Sequence, residues 1–116
     1  MNPTRQSAGA AAPRQRTDPE GLTDEALVTR ARVGDEDAIR ALVQRHNQRL
    51  FRVARSVVGN DAEAEDVVQA TYVSAFTHLQ DFRADARFLT WLTRIALNEA
   101  LGRLRRRRQT ANLEVV

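Results

Sequence analysis

From Leu22 onward, apolar residues recur at steps of three and four, and no stretch alternates with period two. That period belongs to helices packed on one face, not to strands. Turn signals at Gly34 and Asp35, at 59–61 and around 81–85 cut the pattern into four helices. The first, over about 24–33, has Leu27, Val28 and Ala31 on its apolar face and Thr23 as N-cap. The second runs from about 36 to 58, with Ile39, Leu42, Val43, His46, Leu50, Val53, Ala54 and Val57 in phase. Gly59 suits the left-handed residue that ends it, and Asn60 with Glu63 makes a capping box for the third. The third carries Ala64, Val67, Val68, Thr71, Tyr72, Ala75, Phe76 and Leu79 on one stripe. The fourth begins near Ala86 behind an Asp85 cap, with Phe88, Leu92, Ile95, Ala96 and Leu104. The fold class expected is all-α, a single compact bundle of about four helices. Residues 1–21 mix three prolines with small and polar residues, too little apolar surface to offset ordering entropy, and read as a disordered arm.

With 116 residues, 42% of them hydrophobic, the chain can build one modest core. A two-lobed enzyme is excluded. Cysteine is absent and the only histidines are His46 and His78, which read as structural, so neither a disulfide framework nor a metal site is expected. No Gly-rich phosphate loop and no nucleophile beside a base is present, so no cofactor and no enzymatic activity are expected. No apolar run approaches the roughly 20 residues that cross a bilayer, and no secretory leader is recognisable. A soluble, cytoplasmic protein without membrane insertion is the expectation.

Charge changes this picture, because its sign reverses along the second half. Asp61, Glu63, Glu65, Asp66 and Asp81 come without an arginine among them; Arg83, Arg87, Arg94, Arg103 and Arg105 to Arg108 then face only Asp85 and Glu99. All 18 basic residues are arginine, the side chain that forks onto phosphate. One helix repels phosphate and the next attracts it, so the chain can offer an acidic helix to a protein and a basic one to nucleic acid. The basic part also holds Phe82, Phe88, Trp91 and Asn98, which can stack on or hydrogen-bond an unpaired base.

The run Asp66-Val67-Val68-Gln69-Ala70-Thr71-Tyr72, followed by Phe82-Arg83-Ala84-Asp85-Ala86-Arg87-Phe88-Leu89-Thr90-Trp91-Leu92-Thr93-Arg94-Ile95-Ala96-Leu97-Asn98, resembles region 2 of the extracytoplasmic-function (ECF) sigma factors of bacterial RNA polymerase. The segment Ala31-Arg32-Val33-Gly34-Asp35-Glu36-Asp37-Ala38, with Leu42-Val43, resembles the start of the same domain. The resemblance covers 22–108, with three motifs in order. It implies that the third helix docks on the clamp helices of the polymerase largest subunit through Asp66 and Gln69, with Glu65 and Tyr72 beside them. It further implies that the following loop and helix recognise and melt the promoter minus ten element as single-stranded nontemplate DNA. Phe82, Arg83, Ala84, Asp85, Ala86 and Arg87 would form the pocket for a base turned out of the stack, Asn98 would reach a base edge, and Trp91, Arg94, Arg103, Arg105 and Arg106 would complete the surface. An anti-sigma factor is a further partner that the family implies. Ala70 stands where the family usually has Glu, and Ala84 where Gly is frequent. The family's second, helix-turn-helix domain has no counterpart here, and 109–116 reads as the start of a linker to it.

Read without the resemblance, Asp66 and Gln69 are a solvated helix face. Trp91, at helical spacing from Phe88, is a core position before it is a stacking platform, and Phe82 stands between the two. Two other functions fit the same residues: a helical adaptor whose Arg-rich end is solvated, and a nonspecific RNA-binding module.

Overall fold

The computed structural model describes residues 21–83 and 85–115. Apart from Gly21, the arm expected over 1–21 lies outside them, as does Ala84. Four α-helices account for most of the described chain: α1 (Asp24–Arg32), α2 (Glu36–Val58), α3 (Asp61–Thr77) and α4 (Phe88–Val115), with a 3-10 turn at Leu79–Asp81. No strand occurs among the described residues, as the missing period-two pattern implies. The chain divides into two compact units at the Ala41–Leu42 bond, which lies inside α2.

In the first unit, the Thr23 hydroxyl accepts from the Ala26 N–H at 3.1 Å and starts α1. Such a cap contributes about 1 kcal/mol. Leu27, Val28 and Ala31 are the buried positions of α1, as their spacing predicts. The helix ends in a Schellman motif: Asp35 N–H donates to the Arg30 carbonyl and Gly34 N–H to that of Ala31, with Gly34 at φ +90°. Asp35 then caps α2 by accepting from Asp37 N–H (3.0 Å) and Ala38 N–H (3.3 Å), while its other oxygen takes the Arg30 guanidinium at 2.6 Å. That arginine holds the Asp35 carboxyl below its ordinary range, a lowering that its desolvation opposes.

The second unit is built on one stripe from each helix. From α2, Leu42, His46, Leu50, Ala54 and Val58 follow one another at four-residue steps and are buried. α3 buries Ala64, Val67, Val68, Thr71 and Ala75, and the Thr71 hydroxyl bonds back to the Val67 carbonyl at 2.7 Å. α4 buries Phe88, Leu92, Ala96 and Ala100. The alanines keep the stripes of α3 and α4 shallow, which lets these two helices pack closely. Gly59, at φ +86°, ends α2 with a bond to the Arg55 carbonyl, and Asn60 caps α3 by accepting from Glu63 N–H at 2.8 Å. Both residues do what the sequence predicts of them.

Three details differ from the pattern-based expectation. Leu79 belongs to the 3-10 turn instead of the end of α3. α4 starts at Phe88, not near Ala86: the carbonyl of Arg87 accepts its first bond, from Trp91 N–H, and the Asp85 carboxylate lies 3.8 Å from Arg83 Nε instead of capping the helix. Residues 109–115, read as linker, continue α4, since they contain neither Gly nor Pro to stop it.

Candidate functional site

The outward side of α3 carries the acids. Glu65, Asp66 and Gln69 are exposed, and with Val68 and Tyr72 they line one wall of a groove of about 440 Å³ whose other wall is Val43, Asn47 and Phe51 of α2. The four residues expected to meet the polymerase are thus brought together at one groove. Tyr72 forms its floor: the half-buried phenol donates to the Val43 carbonyl at 3.1 Å and lies stacked on Phe76 at 6.0 Å between ring centroids. Burial pushes its pKa up to about 12, so the hydroxyl remains a donor throughout the neutral range. The arrangement combines apolar walls, an anionic rim and an amide, which suits a helix bearing basic side chains. Val73, exposed at 67%, extends this surface beside Ala70.

A second face runs along α4. Trp91, Arg94, Asn98, Leu101 and Arg105 succeed one another at steps of three and four, which puts them on one side of the helix. Arg94, Asn98, Leu101 and Arg105 are exposed and Trp91 is half-buried. Arg83, Asp85, Ala86 and Arg87, all exposed, lead into this face from the loop. Phe82 does not share their exposure. It is 4% exposed and packs edge-on against Phe88 (5.5 Å) and tilted against Trp91 (5.1 Å), with His46 completing the cluster at 5.9 Å from Phe88. Phe82 is therefore the floor of the loop and not a free stacking platform, whereas Trp91 serves the core with one edge and the surface with the other.

Arg103 also departs from the expected set. It points to α3, 3.8 Å from Asp66, with its Nε buried and without a hydrogen-bond partner. One turn on, Arg107 donates to the Val58 carbonyl at 3.2 Å and pairs with Glu63. It joins the C-terminus of α2, the first turn of α3 and α4, satisfying a carbonyl that the helix end leaves open. The eight arginines that make the second half basic thus divide: Arg103 and Arg107 neutralise acids of α3, and Arg94 and Arg105 remain on the outer face.

Sequence reading missed Val43, Asn47 and Phe51 as site residues. Phe51 gave a signal, since a large aromatic directly beside the Leu50 stripe covers less of the core than of a neighbouring surface. No metal-binding group of three or more His, Cys, Asp or Glu occurs among the described residues, and no helix there is long and apolar enough to cross a membrane.

Comparison with known proteins places residues 42–110 in the family model Sigma-70 region 2. The RNA polymerase sigma factor NccH of Alcaligenes xylosoxydans xylosoxydans is 45% identical over 93 residues, which are 80% of this chain and 48% of NccH. The ECF RNA polymerase sigma-E factor of Escherichia coli K12 is 43% identical over 82 residues, 70% of this chain and 42% of that protein. The chain thus spans about half the length of the curated relatives it matches, or less. Among solved structures, an engineered region 2 of sigmaE in complex with GTAAAA superposes with a TM-score of 0.68 at 36% identity, covering 73% of this chain and 88% of that one. CnrH in complex with the cytosolic domain of CnrY superposes with a TM-score of 0.63 at 39% identity, covering 68% and 51%.

Proposed function

We propose, since this chain belongs to the Sigma-70 region 2 family, that it is a non-enzymatic transcription initiation module of the cytoplasm with two working faces. The α3 groove docks on the clamp helices of core RNA polymerase, and the outer face of α4 with its preceding loop holds the minus ten element as a nontemplate single strand. The observation that carries this reading is the separation of the two faces by chemistry: Glu65, Asp66, Gln69 and Tyr72 around one groove, and Arg94, Asn98 and Arg105 in one line on another helix. Its likeness to a region 2 solved with GTAAAA supports the second face.

Recognition divides the work between the two kinds of side chain. Arginines on the α4 face attract phosphate and set the register without reading sequence. The Asn98 amide both donates and accepts, so it discriminates base edges. A base leaving the stack loses a few kcal/mol, and the loop of Arg83, Asp85, Ala86 and Arg87 over its aromatic floor compensates by enclosing it. A peptide of the CnrY kind is a further partner, a reading supported by the likeness to CnrH solved with the cytosolic domain of CnrY.

The test is co-migration of the chain with core polymerase in gel filtration, together with binding to a single-stranded GTAAAA oligonucleotide. Both bind if the proposal holds; a folded chain that binds neither is an adaptor and refutes it. Equal affinity for every RNA and DNA strand would identify a nonspecific module instead.

A further inference from the structure

Gly102 lies in the interior of α4, where a glycine costs about 1 kcal/mol relative to alanine. Neither usual reason for a glycine applies to it. Its backbone is ordinary right-handed helix, since only Gly34 and Gly59 among the described residues have positive φ. Nor does a neighbouring element press on it. A Cβ added there would meet only two atoms within 4 Å outside its own helix backbone, Arg106 Nη1 at 3.4 Å and Arg105 Nη2 at 3.7 Å, both ends of flexible side chains. Gly102 is buried and stands one turn beyond Asn98 on the same side of α4, about 6 Å along the axis.

The covering of that glycine is the second observation. Two guanidinium groups converge on it, and neither forms an ion pair among the described residues, in contrast to Arg103 and Arg107. Like charges held over one spot repel, and an anion placed between them removes the penalty. A site with no side chain of its own and two bidentate donors above it fits a group that must come close to the helix and is negatively charged.

We propose that Gly102 is the seat of the sugar–phosphate backbone of the bound strand, adjoining the nucleotide at Asn98, and that Arg105 and Arg106 swing off the glycine to clamp a phosphate there. The inference rests on the reading of α4 as the strand-binding face and adds a contact that Asn98 does not make. Because the contact is to backbone, it is indifferent to sequence, which makes its failure distinguishable from a failure of base reading at Asn98.

The experiment uses the full 116-residue chain with Gly102→Ala and Gly102→Gln, thermal melting by circular dichroism, and fluorescence anisotropy with a single-stranded GTAAAA oligonucleotide and its scrambled counterpart. Both variants should melt at a higher temperature than the parent, since alanine and glutamine favour helix over glycine. Affinity should nonetheless fall for both strands by one common factor, about fivefold for alanine and more than about tenfold for glutamine, where tenfold corresponds to 1.4 kcal/mol. Raised melting temperature with unchanged affinity on both strands would overturn the proposal, and so would a loss confined to GTAAAA. Asn98→Ala, measured alongside, reports on the base-reading proposal separately: a selective loss there with no loss in the Gly102 variants rejects the seat and leaves the strand-binding face standing.

Discussion

Asp66 on α3 and Arg103 on α4 face each other at 3.8 Å, with 62% of the acid side chain and 27% of the arginine exposed. The pair shows why the sign change along the chain is not a plain division into an acidic helix and a basic one. The same acid that rims the α3 groove also steadies α4, and an exposed pair of this kind contributes about 0 to 1 kcal/mol. Asp66→Arg should therefore leave helical content and melting temperature nearly as they are. Its effect on core polymerase should be large, at least about tenfold, because a like charge then faces the basic partner. Surface plasmon resonance on immobilised core polymerase checks this, and normal binding by the folded variant would remove Asp66 from the docking face.

Phe82→Ala is expected to act on stability. The ring is buried against Phe88 and Trp91, and its removal leaves a cavity under the loop, for a loss of about 3 kcal/mol. Urea unfolding followed by circular dichroism measures it. A fully stable variant with weakened strand binding would restore Phe82 to the surface role that the sequence allows.

The arginines at the end of α4 should separate by function. Arg107→Gln loses the bond to the Val58 carbonyl and the pairing with Glu63, and should cost about 1 kcal/mol of stability. Arg105→Gln with Arg106→Gln should leave stability alone and reduce the slope of log affinity against log salt by about 1.4 for single strands. Titrations at several salt concentrations would contradict this division if Arg107→Gln flattened the slope as much as the pair does.

Acid should loosen the junction of α1 and α2 first. Asp35 is held below its ordinary pKa of 3.8 chiefly by its hydrogen bond with Arg30, so its ionised form favours the folded state. The contribution is fully present above 3.8 and disappears as pH falls through the lower value of the folded protein. Asp35→Asn should melt earlier than the parent at neutral pH, with a gap that closes as pH drops below that range. A gap independent of pH would show that the cap's shape, and not its charge, is what matters.

What could be read from the sequence was local. Thr23, Gly59 and the Asn60–Glu63 cap each depend on residues within one turn, and the helices they delimit stand where the apolar spacing puts them. The start of α4 was misplaced because Asp85 has the chemistry of a cap, yet its carboxylate turns to Arg83. The placement of Phe82, Arg103 and Arg107 was not legible for a different reason. Whether they face solvent depends on the rotational phase of α4 against α3 and on the path of the loop, which no single helix period encodes. Phe51 and Asn47 joined the α3 groove unannounced for the same reason, since a groove between two helices is a property of their packing.

Asn98 supplies the most direct test of the account, because its amide both donates to and accepts from a base edge and so can tell one base from another. The measurement is the ratio of dissociation constants for single-stranded GTAAAA and its scrambled counterpart, by fluorescence anisotropy, for the parent chain and for Asn98→Ala. The parent should prefer GTAAAA, and the variant should lose about 1 to 3 kcal/mol on that strand and little on the scrambled one. An unchanged ratio, with the variant folded, would contradict base recognition by this face of α4.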